Sequence, residues 1–142
     1  LTFNWGIIMG WSALTNNISI EPILLYLSAI FWTLGYDTIY GLQDVDDDEI
    51  IGTKSTAIKF KDNIKFFVSA CYCLFVFFIL ILLFMMEISK SNLILAPLFI
   101  LSLIYQIKIF NINNSESCLK AFKNNNLVGV FIFIFILSFT IS

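Results

Sequence analysis

Long uncharged runs alternate with short polar segments along the whole chain. The runs extend over Leu1–Leu14, Pro22–Tyr36, Phe66–Met86, Asn92–Ile107 and Leu127–Ile141. A helix needs about 20 apolar residues to cross a bilayer, with a range of roughly 17–25, and open sheets cannot satisfy their backbone groups in lipid. The pattern therefore predicts an all-α, polytopic transmembrane helix bundle of about five helices, forming a single transmembrane domain over residues 1–142.

The composition supports this class and excludes an ordinary soluble domain. Of the 142 residues, 59% are hydrophobic and 13% are charged, against roughly 45–50% and about 25% in soluble domains. All eight basic residues are lysines, and seven of them lie in the segments 37–65 and 108–126. If successive helices alternate in direction, the positive-inside bias places both segments on the cytoplasmic or matrix side.

Acidic residues concentrate in one place. Six of the ten acidic residues lie between Asp37 and Glu49, directly after the second apolar run. We call Asp37–Glu49 the acidic segment. Crowded carboxylates repel one another, so a chain that keeps such a cluster is expected to hold a cation with it. Its position predicts that the cation lies at the membrane surface or in a cavity that opens to water.

A continued helix would give this segment a metal-binding face. If the helix from Pro22 runs three turns past Asp37, a narrow stripe forms, with Asp47 at its flank and Asp46 on the opposite side. The stripe consists of Asp37, Tyr40, Asp44 and Asp48. Mg²⁺ keeps several waters and is typically held by one or two carboxylates plus substrate phosphates. We therefore expect the carboxylates to hold Mg²⁺ and, through it, a diphosphate.

A lysine follows the acidic segment within Gly52–Thr56. Lys54 can neutralise a phosphate as a point charge, and Ser55 and Thr56 can add hydroxyl or backbone donors. The stretch is no Walker motif, because position 47 is Asp where a glycine is required.

The acidic residues admit two other interpretations. An EF-hand loop starting at Asp44 fails, since Glu49 stands where the loop requires Gly and Ser55 where it requires Glu. A merely solvated acidic loop that balances the following lysines remains an alternative.

Three stretches together resemble the UbiA prenyltransferase family, within it the branch that acts on 4-hydroxybenzoate. Tyr36–Ala57 is similar to the family's second aspartate-rich motif, Phe3–Ala13 to the segment that precedes it, and Cys118–Gly129 to the C-terminal signature. Their order and spacing agree, so the resemblance covers essentially the whole chain.

The resemblance implies a bundle of about nine transmembrane helices around a central cavity, of which this chain is the C-terminal portion. The N-terminal half, with a first motif of Asn-Asp-x-x-Asp type, is expected to precede Leu1. The implied catalytic residues are Asp37, Asp44, Asp48 and Lys54; the implied metal ligands are the same three aspartates with Asp47 as a weaker candidate; and the implied diphosphate contacts are Tyr40, Lys54 and Ser55. Asn125 is expected to pack or cap a helix.

The implied activity is the Mg²⁺-dependent transfer of a polyprenyl group from polyprenyl diphosphate to the ring carbon of 4-hydroxybenzoate, a step of ubiquinone biosynthesis. The implied location is the inner membrane of a bacterium or the mitochondrial inner membrane. The expected partners are the two substrates, the lipid bilayer and the N-terminal half of the same protein, with no nucleic acid. The isolated chain is expected to be inactive.

Three alternatives stay open at this stage. The acceptor could instead be haem, naphthoate, a chlorophyll-type molecule or a lipid. The chain could be half of a non-enzymatic cation-binding or transport protein, although its spans lack the acidic groups that a conduction path would want. It could also be a split or degenerate half that never acts alone.

Overall fold

A computed structural model describes residues 2–86 and 96–141, with side chains for 4–86 and 96–137. A 3₁₀ turn over Thr2–Trp5 precedes the first helix, and another over Lys61–Asn63 precedes the fifth. The helices are α1 (Gly6–Thr15), α2 (Ile20–Gly41), α3 (Val45–Ile51), α4 (Thr56–Lys59), α5 (Ile64–Met85), α6 (Ala96–Ile109), α7 (Ser115–Lys123) and α8 (Asn125–Ile141). The described part of the chain contains no β-strand, which confirms the all-α prediction.

The apolar runs correspond to helices α1, α2, α5, α6 and α8. Three helical segments are long and apolar enough to cross a membrane, namely Ile20–Gly41, Lys61–Met85 and Ser115–Leu137, and α1 and α6 are shorter apolar helices. Pro22 lies in the first turn of α2, where its missing N–H costs nothing. The predicted start of the fourth run, Asn92, lies outside the described residues. The observed helices therefore agree with the polytopic membrane bundle that the sequence predicts.

Among the described helices, the most extensive contact joins α2 to α5. Gly35 faces the ring of Tyr72, and an ideal Cβ on this glycine would overlap the ring, 2.9 Å from Cδ1 and nearer to Cε1. The hydroxyl of Ser28 donates a hydrogen bond of 3.4 Å to the carbonyl of Phe75. Small residues that let helix backbones approach closely are typical of membrane interfaces. Gly35 therefore sets the spacing between these two spans.

Aromatic rings fill the space between α5, α6 and α8. The ring centroid of Phe99 lies 6.1 Å from that of Phe75 and 5.3 Å from that of Phe135. All three side chains are almost fully buried. Large apolar side chains nevertheless remain exposed elsewhere on the long helices, among them Phe66, Phe84, Leu101 and Phe133. Such a surface suits contact with lipid, where exposed apolar groups carry no penalty.

A buried polar relay links the same three helices. The hydroxyl of Tyr72 donates to Oε1 of Gln106 at 2.6 Å, and Nε2 of Gln106 donates to Oδ1 of Asn125 at 2.7 Å. We call Tyr72, Gln106 and Asn125 the amide relay. Nearby, Nδ2 of Asn124 donates to Oγ of Ser102 at 2.9 Å. Each bond satisfies a polar group that the bundle removes from water, as buried polar groups require.

Helix α7 lies in the polar segment 108–126, between two apolar runs, where the hydropathy pattern predicted no helix. The side-chain Oδ1 of Asn114 accepts a hydrogen bond of 3.0 Å from the backbone N–H of Ser117, which caps the helix. Lys120 and Lys123 lie in the last turn, where positive charge is favourable to the helix dipole. α7 packs against α2 and leads directly into α8, so it covers the end of the bundle near the acidic segment.

Candidate active site

Helix α2 does not continue through the acidic segment. It ends at Gly41, and α3 begins at Val45, so the single stripe of Asp37, Tyr40, Asp44 and Asp48 that the sequence predicted is wrong. The backbone N–H groups of Leu42 and Gln43 bond carbonyls only three residues back, at 3.3 and 3.0 Å, which tightens the chain into a turn. Asp44 occupies the position before the first residue of α3.

Apolar residues are buried on both sides of the break. Ile39, Leu42 and Val45 have relative exposures of 0%, 2% and 4%, and all three belong to the core. On a continued helix these positions, three residues apart, would spread over about 120°, whereas here Leu42 lies in the turn between the two helices. The helical periodicity of the segment does not predict that turn.

A pair of hydroxyl groups, those of Thr38 and Thr56, joins the loop after α3 to α2. Thr38 donates to the carbonyl of Leu34 at 2.7 Å, so its oxygen accepts the hydroxyl of Thr56, also at 2.7 Å. Ala57 is buried, and its Cβ lies 3.4 Å from the position of a Cβ built on Gly41. The loop after α3 is therefore held against the end of α2.

Gly52 makes the turn between α3 and that loop. Its φ of 78° lies in the left-handed region, which glycine adopts without steric cost. The N–H of Thr53 bonds the carbonyl of Asp48 at 3.0 Å, which ends the helix as glycine caps commonly do. The chain then turns back, so that Lys54 and Ser55 follow α3 immediately.

The acidic segment separates into paired and unpaired carboxylates. Nζ of Lys61 lies 3.0 Å from both carboxylate oxygens of Glu49 and 3.4 Å from Oδ1 of Asp46. Lys61 thus neutralises the face of α3 that carries Asp46. Over residues 2–86 and 96–141, no ion pair involves the other four carboxylates, those of Asp37, Asp44, Asp47 and Asp48.

These four carboxylates are open to a ligand. Asp37, Asp44 and Asp47 are exposed, and Asp48 is half-buried. In the part of the chain that the structure describes, no three Asp, Glu, His or Cys side chains converge well enough to hold a metal ion. Mg²⁺ is usually held by one or two carboxylates, waters and substrate phosphates. The arrangement fits a Mg²⁺ site in which waters and substrate phosphates complete the coordination. It does not fit a metal ion held by the carboxylates of this segment alone.

Of the predicted diphosphate contacts, Tyr40 lies within the acidic segment, and Lys54 and Ser55 follow it. Lys54 is exposed, and Ser55 accepts a 3.2 Å hydrogen bond from the N–H of Ile58 and so caps α4, with its own hydroxyl proton free to donate. Both line a hollow of about 410 Å³ with Lys59. Tyr40 packs its ring on Phe122 of α7, with centroids 4.7 Å apart, and is otherwise 45% exposed.

A larger cavity of about 630 Å³ opens beside the acidic segment, between α2, α7 and α8. Trp32 and Tyr36 from α2 line one side, with ring centroids 5.7 Å apart. The other side includes Phe122, Lys123 and, on α8, Asn125, Asn126, Gly129, Val130 and Phe133. Tyr36, which lines the cavity, immediately precedes Asp37 on α2. We call this space the aromatic cavity.

Sequence reasoning missed Lys61 and α7. Lys61 lies 12 residues from Glu49 and 15 from Asp46 along the chain, and no local spacing predicts ion pairs between residues so far apart. For α7 a signal existed: an Asn cap, Glu116 in the first turn and lysines in the last turn are ordinary start and stop signals of a helix.

The fold and the site together define a polytopic all-α membrane protein that carries an exposed acidic segment beside an aromatic cavity. The chain belongs to the UbiA prenyltransferase family, whose model matches residues 1–139. No solved structure matches the chain significantly.

Several curated relatives are 4-hydroxybenzoate prenyltransferases. The 4-hydroxybenzoate octaprenyltransferase of Pasteurella multocida is 34% identical over 134 residues, which cover 94% of this chain and 46% of the relative. The mitochondrial 4-hydroxybenzoate polyprenyltransferases of Bos taurus and Homo sapiens are 37% and 36% identical over 141 residues, covering 94% of this chain and 36% of each relative. The chain thus spans between about a third and a half of the length of these proteins.

Proposed function

We propose that the full-length protein containing this chain transfers a polyprenyl group from a polyprenyl diphosphate to the ring carbon of 4-hydroxybenzoate, as a step of ubiquinone biosynthesis. The names of the relatives support the substrates. The observation that carries the proposal is the set of four unpaired carboxylates at the end of an apolar helix, next to a loop with Lys54. A charged diphosphate head can lie there while its apolar tail stays in lipid.

In this proposal Asp37, Asp44 and Asp48, with Asp47 as a further candidate, would share the binding of Mg²⁺ with ligands outside this segment, because no three of the described acidic side chains converge on one ion. When bound, Mg²⁺ supplies Lewis-acid neutralisation of the leaving diphosphate. Lys54 adds positive charge where negative charge develops on the leaving oxygen, and Ser55 and Tyr40 supply hydroxyl donors to the same phosphates.

The reaction exchanges one bond for another. The allylic C–O bond breaks and its electron pair leaves with diphosphate, the ring carbon next to the phenol hydroxyl bonds to the prenyl carbon, and the ring proton is released to water. The face of an aromatic ring attracts a cation, so Trp32 and Tyr36 stabilise positive charge on the prenyl carbon and exclude water from it. Both rings line the aromatic cavity, and Tyr36 immediately precedes Asp37 on α2.

We place the acidic segment on the cytoplasmic or matrix side, in the inner membrane of a bacterium or a mitochondrion. The lysines of the segments 37–65 and 108–126 support this side by the positive-inside bias. The remaining carboxylates for the metal would come from the N-terminal portion that the family resemblance implies; the match covers 46% of the Pasteurella multocida relative.

The test is prenyl transfer by the purified full-length protein in detergent or liposomes. We expect prenylated 4-hydroxybenzoate, identified by mass spectrometry, when polyprenyl diphosphate and Mg²⁺ are present. A chelator should abolish the product, and added Mg²⁺ should restore it. Equal product formation after chelation would contradict the role of the carboxylates.

A panel of acceptors sharpens the same assay. Haem, a hydroxynaphthoate and a chlorophyll-type acceptor are offered at matched concentration, each alone and in competition with 4-hydroxybenzoate. Preference for another acceptor would keep the prenyl transfer and replace the substrate. No product with any acceptor, from a protein that is folded by its melting curve, would overturn the proposed function.

A further inference from the structure

A second hollow lies between α6 and the junction of α7 with α8. It has a volume of about 510 Å³. Its lining includes Tyr105 from α6, Lys120 and Lys123 from α7, and Asn126, Leu127 and Val130 from α8. We call this hollow the basic groove. None of the residues to which the proposed function gives a metal, diphosphate or aromatic role lines it.

The backbone beside the basic groove is fixed against α6. Asn124, which also lines the groove, donates through Nδ2 to Oγ of Ser102 at 2.9 Å and to the carbonyl of Ser102 at 3.3 Å. The backbone N–H of Asn124 bonds the carbonyls of Lys120 and Ala121, both at 3.2 Å, so α7 leads into α8 without a loop. The two lysines therefore project from a backbone that the contact with α6 holds in place.

The lysines of the groove carry uncompensated positive charge. Lys120 and Lys123 are exposed, whereas Cys118 and Ala121 on the other face of α7 are buried. Glu116 precedes Lys120 by one helical turn, a spacing that permits an ion pair. Within residues 2–86 and 96–141, however, the ion pairs are those of Lys61 with Asp46 and Glu49. The groove therefore attracts an anion.

An exposed apolar track leads away from these lysines. On α8, Leu127 and Val130 are exposed, and Ile134 continues the same face one turn further on. On α6, exposed Leu101 lies one turn before Tyr105. Because α6 ends and α8 begins near the lysines, both faces run from the charged end of the groove along their apolar helices.

This combination identifies the chemistry of the occupant. A small soluble anion would leave the apolar track uncovered, and an uncharged hydrocarbon would leave two lysines without a counter-ion. A phospholipid with net negative charge matches both ends. Basic pockets between transmembrane helices on the cytoplasmic or matrix side bind anionic headgroups, and tyrosines such as Tyr105 are enriched at the level of the headgroups.

We propose that the basic groove binds an anionic phospholipid, with the headgroup phosphate between Lys120 and Lys123 and an acyl chain along Leu127 and Val130. The amide of Asn126 and the hydroxyl of Tyr105 supply neutral donors to the headgroup. The site goes beyond the proposed function, because it uses none of the carboxylates assigned to the reaction and would exist in a protein that transfers no prenyl group.

The test is native mass spectrometry of the full-length protein, delipidated in detergent and titrated with phosphatidylglycerol or with phosphatidylcholine of the same acyl chains. The ratio of the two Kd values for the first bound lipid measures the preference for negative charge. We expect wild-type protein to bind phosphatidylglycerol at least about fivefold more tightly, since a lysine near the surface contributes roughly that factor. The double variant Lys120→Gln with Lys123→Gln should lower the ratio to within about twofold of unity.

Two further variants locate the effect. Lys120→Gln alone should lose part of the preference; among the cavities described for residues 4–86 and 96–137, Lys120 lines the basic groove, whereas Lys123 also lines the aromatic cavity. Lys65→Gln is the matched control, because Lys65 is an exposed lysine in the first turn of α5 that does not line the groove. It should keep the wild-type ratio. Replacing both groove lysines by arginine should keep it as well, since the charge remains.

Three results would overturn the proposal. An unchanged ratio in the double glutamine variant, with a wild-type melting curve, would show that the groove is covered by the rest of the protein or by a second copy. An equal loss in Lys65→Gln would assign the preference to general surface charge. Displacement of phosphatidylglycerol by millimolar glycerophosphate would show that a free phosphate suffices and that the apolar track holds no acyl chain.

Discussion

The acidic segment and the amide relay differ in the charge and the exposure of their polar groups. The segment carries six carboxylates, five of them exposed, and only Asp46 and Glu49 have an ion-pair partner among the described residues. The relay consists of neutral groups, and both Tyr72 and Gln106 are almost fully buried and hydrogen-bonded. Charge is placed where water or a ligand can meet it, and neutral donors are placed where helices pack.

This contrast separates binding from stability. Removing an exposed carboxylate takes away a ligand contact and leaves the packing intact, because solvated charges contribute little to folding. Removing a relay member leaves a buried polar partner unsatisfied, which destabilises the fold directly. Substitutions in the two regions should therefore affect different measurements, and a substitution that affects both would break the comparison.

The largest expected effect is on catalysis. Asp44→Asn keeps the shape of a side chain that is exposed before α3 and removes its charge. We expect prenyl transfer by the full-length protein to fall roughly 100-fold or more, as for the loss of one preorganised electrostatic contact to the leaving group. The thermal unfolding curve should stay that of the wild type.

Asp62→Asn is the matched control. Asp62 is exposed in the turn before α5 and lies outside the acidic segment, so its rate should remain within about twofold of the wild type, in line with the small effects of ordinary surface changes. Comparable losses in both variants would show that general surface charge, rather than this segment, determines the rate.

The sequence predicted the spans well because hydrophobic length is a local property. The run Phe66–Met86 became α5 over Ile64–Met85, and Leu127–Ile141 became α8 with two more residues at its start. The family resemblance was confirmed by the family match. The assignment of metal and diphosphate ligands stays a prediction.

The break in the acidic segment could not be derived locally. Asp37, Asp44 and Asp48 do fit one helical face, but α2 ends at Gly41, and Leu42 and Val45 after it are buried in the core. The partners of Lys61 and the hydrogen bonds of Asn125 depend on which parts of the chain meet in space. A periodicity that fits one helix thus does not reveal where that helix ends.

The largest effect on stability is expected at the contact of α2 with α5. Gly35→Val places methyl groups where the Tyr72 ring already lies, and overpacking of this kind costs about 3 kcal/mol or more when backbone must move. Unfolding in mixed detergent micelles would measure the change in free energy. Gly10→Ala, where an added Cβ meets nothing within 4 Å, should be neutral or stabilising.

A smaller loss is expected from the relay itself. Tyr72→Phe keeps the ring against Gly35 and leaves Oε1 of Gln106 without the hydroxyl that lies 2.6 Å away. We expect about 1–2 kcal/mol of destabilisation, from the cost of a buried unsatisfied acceptor. The double variant Tyr72→Phe with Gln106→Leu should be less destabilised than the sum of the two single changes, since it removes both ends of the bond. Simple additivity would show that the bond is not formed.

The smallest effect is expected at Lys61, which forms the two ion pairs of the acidic segment in the part of the chain that the structure describes. Lys61→Gln removes the cation that lies 3.0 Å from both oxygens of Glu49 and 3.4 Å from Asp46. Exposed pairs contribute little to stability and are screened by salt, and the Debye length falls from about 10 Å at 0.1 M to about 3 Å at 1 M salt. The melting temperatures of the variant and the wild type should thus differ slightly at low salt and coincide at 1 M. A difference that persists at 1 M would mean that Lys61 supports the segment by packing its aliphatic stem, and the segment would then share the character of the buried relay.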